Sequence, residues 1–157
     1  MDTVKAGEPA PDFALAEDGG AEGATLSRLR GRAVVVYFYP KDNTPGCTAE
    51  ARDFSCVMDE FDKAEVHVIG ISPDTVRSHV KFRDKHELKV RLASDEDTTI
   101  ARAYGVWVQK QMYGRTFMGV ERATFLIDRE GRVARIWRNV RVPGHVDDVL
   151  AAVRSLQ

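Results

Sequence analysis

The longest uninterrupted run of apolar residues in the chain covers residues 33–39. Its members are mostly β-branched or aromatic, and their continuous hydrophobicity predicts a strand that is covered on both faces. Pro40 ends the run, a segment rich in turn-forming residues follows, and an amphipathic pattern begins at Cys47. The pattern predicts one helix that begins after Gly46. Its apolar face carries Ala51, Phe54, Val57, Met58 and Phe61.

Shorter patterns fill the rest of the chain. Two short apolar segments on either side of the turn signal Asp18-Gly19-Gly20 predict an N-terminal β-hairpin. The helix that follows the second buried strand is expected to be capped by Asp74 or Thr75. The second buried strand is predicted at 66–71, and the helix after it runs to about residue 85. A strand at 90–93 and a helix that is capped by residues 94–98 and runs to 104 come next. The last predicted elements are a strand or wide hairpin over 106–118, a strand at 121–127, a turn at 128–131, a strand at 132–137 and a closing helix after 144.

The order of these elements predicts the fold class. Strand, helix, strand and helix, followed by a β-hairpin and a last helix, is the succession of the thioredoxin-like fold. We therefore expect an α/β protein, a three-layer α/β/α sandwich with a central mixed sheet and an N-terminal β-hairpin. With 157 residues, the chain is expected to form a single domain over residues 1–157.

Composition and charge narrow the possible partners. The hydrophobic fraction is 43%, the charged fraction is 30% and the formal net charge is -1, as in an ordinary globular protein. A net charge this small produces an electrostatic field too weak to attract nucleic acid or anionic lipid, so no nucleic-acid or membrane partner is expected. The apolar run is too short to span a bilayer and the N-terminus lacks the apolar core of a signal peptide, which favours a cytoplasmic location.

The candidate chemistry centres on a cysteine. The chain has two, Cys47 and Cys56, too few for a disulfide scaffold. A free thiol ionises only slightly at neutral pH, but the unpaired N–H groups at the start of a helix favour the thiolate. Cys47 is predicted at such a start, and Thr44, three residues earlier, has a hydroxyl that can donate a hydrogen bond. Pro40 stiffens the preceding loop, and Gly46 allows the backbone to approach a small ligand closely.

Residues 37–50 carry a resemblance to a known family. They contain no Cys-x-x-Cys pair, because Thr44 and Glu50 occupy the two positions at that spacing from Cys47, and this argues against a dithiol oxidoreductase. The segment Tyr-Phe-Tyr-Pro-Lys-Asp-Asn-Thr-Pro-Gly-Cys-Thr-Ala-Glu resembles the active site of the peroxiredoxins, Pro-x-x-x-Thr/Ser-x-x-Cys. It is most similar to the peroxiredoxin Q, or bacterioferritin comigratory protein, branch. The likeness continues through residues 70–74, 92–96, 104–107, 118–128 and 142–145.

The resemblance implies a thiol-dependent peroxidase that reduces hydrogen peroxide and organic hydroperoxides. Cys47 would attack one peroxide oxygen and become a sulfenic acid. Thr44 would hydrogen-bond the thiolate and the peroxide, Pro40 would shield the pocket, Arg122 would supply a cation, and Glu50 would orient Arg122. Arg122 is also notable by itself, because it interrupts a strand that is predicted to be buried and a guanidinium there needs an anionic partner.

The second half of the redox cycle is where this sequence departs from the family. Members of the branch place a resolving cysteine five residues after the first, where this chain has Arg52, or in the next helix, near Arg83. Cys56 follows Cys47 by nine residues, a rise of about 13–14 Å along an intact helix, whereas a disulfide needs Cα atoms within about 4.4–6.8 Å. Cys56 is also predicted on the solvent side. We therefore expect a one-cysteine enzyme that is reduced by an external small thiol such as glutathione, by thioredoxin or by glutaredoxin.

Several alternatives stay open from the sequence. Cys56 could resolve the sulfenic acid after local unfolding or through an intermolecular bridge, or it could be an incidental surface thiol. The protein could also be a redox-sensing or chaperone-like thiol protein on the same fold. A monomer or weak dimer is expected. No metal or cofactor is expected, because the histidines show no ligand spacing and are predicted to be surface or capping residues: His67, His79, His86 and His145.

Overall fold

The computed structural model describes residues 4–18 and 20–156, without the side chains of residues 20–22. The strands are β1 (Ala14–Glu17), β2 (Gly20–Thr25), β3 (Ala33–Phe38), β4 (Val66–Ser72), β5 (Arg91–Ser94), β6 (Trp107–Met112), β7 (Arg115–Val120), β8 (Ala123–Ile127) and β9 (Val133–Trp137). The α-helices are α1 (Pro45–Cys56), α2 (Met58–Lys63), α3 (Val76–His86), α4 (Thr99–Ala103) and α5 (His145–Ser155), and a 3₁₀ turn covers Leu26–Leu29.

A mixed sheet of seven strands forms the centre of the fold, in the order β2-β1-β5-β4-β3-β8-β9. Strands β3, β4 and β5 run parallel, because helical crossovers connect them, whereas β1 and β8 pair antiparallel with β5 and β3. The predicted N-terminal hairpin is confirmed as β1 and β2 at one edge of this sheet. Gly19, in its predicted turn, lies outside the described residues.

Strand β3 separates two hydrophobic cores because its successive side chains point to opposite faces. Val35 and Tyr37 belong to the core shared with α1, α3 and α5, and Val36 and Phe38 belong to the core shared with α4. All six residues of the strand are buried, as its continuous hydrophobicity predicted. The three-layer α/β/α sandwich of the thioredoxin-like class is therefore confirmed.

The predicted single helix after Gly46 is wrong at its far end. Val57 interrupts it with backbone angles of φ -114° and ψ 18°, and α2 begins at the next residue. Periodicity alone did not predict the interruption, because apolar residues continue at helical spacing on both sides of it. Phe61 still reaches the core, as predicted, but it does so from the second helix.

The predicted strand at 121–127 is also shorter than expected. β8 begins at Ala123, and Arg122 lies in the two-residue connection after β7 rather than within a buried strand. The hairpin expected around Gly114 is confirmed as β6 and β7, which form a separate two-stranded sheet. Thr75 is confirmed as the cap of α3, since its side chain accepts a hydrogen bond from the backbone N–H of Ser78. None of the helices in the described part of the chain is long and apolar enough to cross a bilayer.

Candidate active site

The loop between β3 and α1 places Cys47 in the first turn of a helix. Thr44 has extended backbone angles, φ -89° and ψ 156°, and Pro45 occupies the first helical position, where its missing N–H costs nothing. Cys47 is the third residue of α1, and only 1% of it is exposed. A buried thiol beside the unpaired N–H groups of a helix start is in a position where an anion is stabilised.

Arg122 links this thiol to a buried carboxyl group. Its Nη2 donates to Cys47 Sγ at 3.2 Å, and its Nη1 donates to Glu50 Oε1 at 2.8 Å. Gly46 makes the approach possible: a Cβ at that position would lie 3.1 Å from Nη2 of Arg122. The structure therefore brings together Cys47, Glu50 and Arg122, three residues that the resemblance assigned to one site.

The electrostatics of the trio follow from one cation facing two acidic groups. Burial raises the pKa of Glu50 to about 7, although the charge and hydrogen bond of Arg122 act in the opposite direction. Burial acts to lower the pKa of Arg122, but the charges of Glu50 and Cys47 outweigh it and raise that pKa. Within the described residues, the second carboxyl oxygen of Glu50, Oε2, is buried and has no hydrogen-bond partner. The Arg122 guanidinium thus serves both the carboxyl and the sulfur.

Thr44 and Pro40 lie in the same loop, and both are half-buried. The Thr44 hydroxyl donates its proton to the backbone carbonyl of Lys41 at 2.8 Å, not to Cys47. Its oxygen keeps lone pairs that can accept a hydrogen bond. The roles that the resemblance gives to these two residues stay predictions.

Cys56 is separated from Cys47 as the sequence predicted. Both are free thiols at opposite ends of the unbroken helix α1, and Cys56 is exposed. It opens into a surface cavity of about 310 Å³ that is also lined by Asp53 and Asp147. Burial and then the charge of Asp147 raise the pKa of Asp53, which marks this cavity as an acidic environment.

The two positions at which the resemblance leads one to expect a resolving cysteine hold arginines with different surroundings. Arg52 is exposed on α1. Arg83 is held on α3 by hydrogen bonds to Asp18, at 3.0 Å from Nη2 to Oδ1, and to the Leu88 carbonyl at 2.7 Å. Asp18 is almost fully buried, so this ion pair fastens α3 to the end of β1.

The prediction that the histidines are surface or capping residues is wrong for two of them. His79 is completely buried and His145 is 5% exposed. Nε2 of His145 lies 2.8 Å from the Thr124 hydroxyl, and burial lowers the pKa of His145 to about 4, so the ring is neutral at pH 7. A lone histidine in a sequence carries no periodic signal that would reveal its burial.

His79 also belongs to a polar cluster that the sequence analysis missed. Asp42, Asp74 and His79 bring ligand-type atoms within 4.8 Å of one another. Asp42 and His79 bond directly to each other at 2.7 Å, and Asp74 accepts from the Ser72 hydroxyl at 2.7 Å. These groups already satisfy one another, which fits a structural network better than a metal site.

Comparisons with known proteins agree with the site. Residues 6–136 match the AhpC/TSA family. The peroxiredoxin Bcp of Bacillus subtilis is 44% identical over 154 residues, which cover 98% of this chain and 98% of that protein. The chain belongs to the peroxiredoxins. Peroxiredoxins are thiol-dependent peroxidases, so the chain is an oxidoreductase that reduces a peroxide with electrons from a thiol.

Solved structures place this peroxiredoxin in the Bcp or peroxiredoxin Q branch. Peroxiredoxin Q of Xanthomonas campestris superimposes with a TM-score of 0.89 at 44% identity and covers 96% of this chain and 97% of that one. The bacterioferritin comigratory protein of the same organism, described for its alkyl peroxide reduction activity, has a TM-score of 0.89 at 43% identity, with 96% and 98% coverage. The resemblance identified from residues 37–50 is therefore confirmed over nearly the whole chain.

Proposed function

We propose that Cys47 is the peroxidatic cysteine of this peroxiredoxin. The observation that carries the proposal is the distance of 3.2 Å between the buried Sγ of Cys47 and Nη2 of Arg122, at the start of helix α1. A guanidinium and the N–H groups of a helix start together stabilise the thiolate, which is the form that attacks a peroxide.

In the first step the Cys47 thiolate attacks the terminal oxygen of the peroxide. An S–O bond forms and the O–O bond breaks, so the sulfur is oxidised to a sulfenic acid and the alkoxide or hydroxide leaving group takes up a proton. Arg122 stabilises the charge that moves from sulfur to oxygen, and the Thr44 hydroxyl joins it when its proton turns from the Lys41 carbonyl to the peroxide. Pro40 limits the access of water, and Glu50 holds the second nitrogen of Arg122, Nη1, at 2.8 Å and so fixes its orientation.

We propose that the sulfenic acid is reduced by an external thiol. One thiol displaces water to form a mixed disulfide with Cys47, and a second thiol releases Cys47 and leaves as a disulfide. The intact helix that holds Cys47 and Cys56 at its opposite ends supports this one-cysteine cycle over the use of Cys56 as the resolving thiol.

The proposed substrates are hydrogen peroxide and organic hydroperoxides, the latter supported by the alkyl peroxide activity of the Xanthomonas relative. The proposed reductants are thioredoxin, glutaredoxin or a small thiol such as glutathione. Two free cysteines suit the reducing cytoplasm in which such thiols are abundant. We propose a single domain that acts as a monomer or weak dimer.

Cysteine variants and mass spectrometry test this proposal together. Cys47→Ser should abolish peroxide consumption with any thiol reductant, and Cys56→Ser should leave turnover unchanged. After one equivalent of peroxide, the intact mass of the reduced protein should rise by one oxygen. A mass that falls by two hydrogens instead, with no such fall in Cys56→Ser, would indicate a disulfide and would contradict the one-cysteine cycle. Oxidation of Cys47 without turnover by any of the three reductants would favour a redox sensor.

A further inference from the structure

The loop between β3 and α1, residues 39–44, is fastened to helix α3 by polar contacts that the peroxide chemistry does not use. Asp42 lies at their centre. Its backbone N–H donates to Asp74 Oδ2 at 2.8 Å. Its Oδ2 accepts from the Ser78 hydroxyl at 2.8 Å and lies 2.7 Å from Nδ1 of His79. The middle of the loop is therefore bound to the first turn of α3.

His79 is bound on both sides of its ring. Nε2 lies 3.1 Å from the backbone carbonyl oxygen of Ala93 in β5, and a carbonyl can only accept, so Nε2 carries a hydrogen. Burial acts to raise the pKa of Asp42, but hydrogen bonds from His79 and Tyr39 outweigh it and lower that pKa. Nδ1 on the other side of the ring lies 2.7 Å from the Asp42 carboxylate. The ring therefore joins the loop to the sheet through its two nitrogens.

The neighbouring loop residues are fixed in a similar way. Asn43 has a left-handed backbone, φ 65°, and its Oδ1 lies 2.9 Å from Nε2 of His86 at the end of α3. The Thr44 hydroxyl closes a turn onto the Lys41 carbonyl. Three consecutive residues thus keep their places through side-chain bonds, and two of them, Asp42 and Asn43, bond to α3.

We propose that His79 is a positioning residue for the peroxide step, and that through Asp42 it fixes the loop that carries Pro40 and Thr44 beside Cys47. This inference rests on the proposed function of Cys47. His79 contacts neither the sulfur nor Arg122 in the described structure, and it acts only through the loop. The reaction needs the thiolate and the groups around the peroxide in one geometry, and a displacement of about 1 Å can slow a reaction by about 100-fold.

Two substitutions of His79 separate its two hydrogen bonds. The amide nitrogen of asparagine comes close to the position of Nδ1, so His79→Asn keeps a donor for Asp42 and loses the bond to Ala93. The amide of glutamine comes close to the position of Nε2, so His79→Gln keeps the hydrogen bond to the Ala93 carbonyl and loses the bond to Asp42. Both variants replace the imidazole by an uncharged amide, so the comparison isolates the contact with the loop.

The first measurement is the rate constant for oxidation of the fully reduced protein by one equivalent of hydrogen peroxide. His79→Gln is expected to slow this step by about 10- to 100-fold, and His79→Asn by less than about 3-fold. Reduction of the oxidised protein by a small thiol should be unchanged in both variants. Hydrogen exchange of the amides of residues 41–44 should accelerate in His79→Gln only.

Two controls account for general destabilisation. Val153→Ala removes buried apolar volume from α5. Val153 lies beside Ala33, the first residue of β3, whereas the loop follows the other end of that strand. It should lower the melting temperature without slowing the peroxide step. His67→Asn changes a half-buried histidine on β4 and should have no effect. If His79→Gln does not fold, Asp42→Ala removes the acceptor of the His79 bond from the loop side, together with those of the Tyr39 and Ser78 bonds.

Two results would overturn the proposal: equal loss of rate in His79→Asn and His79→Gln, or a His79→Gln variant with normal rate and normal amide protection. Failure of the proposed function would look different. In that case peroxide would not oxidise Cys47 in the wild-type protein, and hydrogen exchange of residues 41–44 would still report whether His79 holds the loop.

Discussion

Arg122 lies 3.2 Å from Cys47 through Nη2 and Sγ, although 75 residues separate the two in the sequence. The contact forms because β8 pairs with β3, so the residue just before β8 lies next to the loop that follows β3. Glu50 binds the other terminal nitrogen of the same guanidinium. One side chain from a distant segment therefore sets both the charge around the thiol and the state of the neighbouring carboxyl group.

Removal of this cation should slow the peroxide step. We expect Arg122→Met to lower the rate constant for oxidation of Cys47 by about 10²–10³-fold, because the charge that develops on the oxygen loses its main stabilising group. Arg122→Lys should recover little, since one ammonium cannot bond to Cys47 and Glu50 in the same fork. Stopped-flow measurement of the single-turnover reaction checks both variants.

Arg154→Met is the matched control, because Arg154 forms an exposed ion pair with Glu60 at 2.9 Å. Its oxidation rate should equal that of the wild type, as the charge lies on the surface and is screened. A loss of less than 10-fold in Arg122→Met would contradict the assigned role of Arg122.

Glu50 should make stability fall as the pH rises. Its pKa is about 7 in the folded protein and about 4.5 in the unfolded chain, so the folded state holds more protons between these values. The stabilisation by protonation is complete below about pH 4.5 and is lost as the pH rises through about 7. Glu50→Gln stays neutral at every pH. The difference between its free energy of unfolding and that of the wild type should therefore shift in favour of the variant by up to about 3 kcal/mol between about pH 5 and pH 8.

Urea unfolding at several pH values measures this difference, with Glu121→Gln as a control of opposite sign. Burial acts to raise the pKa of Glu121, but hydrogen bonds from Arg138 and the Asn139 N–H, together with the charges of Arg138 and Lys110, outweigh it and lower that pKa. Its stabilisation is therefore present above the unfolded pKa and lost only in acid. Glu121→Gln should be less stable than the wild type by a constant amount over the same range. A constant difference for Glu50→Gln as well would show that Glu50 is ionised throughout.

Two buried tyrosines should respond differently to loss of the hydroxyl group. The Tyr37 hydroxyl is buried without a partner, and its ring packs so closely on Gly70 that a Cβ there would lie 2.7 Å from the oxygen. The Tyr104 hydroxyl donates to the Pro11 carbonyl at 2.7 Å. We expect Tyr37→Phe to be neutral or to stabilise by up to about 1 kcal/mol, and Tyr104→Phe to destabilise by about 1 kcal/mol.

Chemical denaturation of the two variants gives the comparison directly. Equal destabilisation would mean that the Tyr37 hydroxyl has a partner in solution, with Glu50 Oε2, which is also buried and unpartnered, as the first candidate. A gain in stability for Tyr37→Phe should leave the peroxide reaction unchanged, because the hydroxyl makes no hydrogen bond to Cys47 or Arg122 in the described structure.

Most elements of the fold could be predicted because each depends on a local pattern. Continuous hydrophobicity predicted β3, and Thr75 at the entry of α3 was predicted as one of two possible caps. The break at Val57 could not be predicted, because helical spacing continues across it. The burial of His79 and His145 could not be predicted either, since it depends on partners from other segments, Asp42 and Thr124.

The sequence by itself determined the family and predicted the reactive group. The segment from Pro40 to Cys47 contains a strand end, a stiff loop and a helix start, and their chemistry depends on residues that are neighbours in the chain. Only the tertiary structure decided how that group is controlled. It placed Arg122 beside the sulfur, gave Glu50 a pKa of about 7 through burial, and anchored Asp42 to His79. The physical reason is that charge and desolvation act through space, and sequence patterns describe only the spacing along the chain.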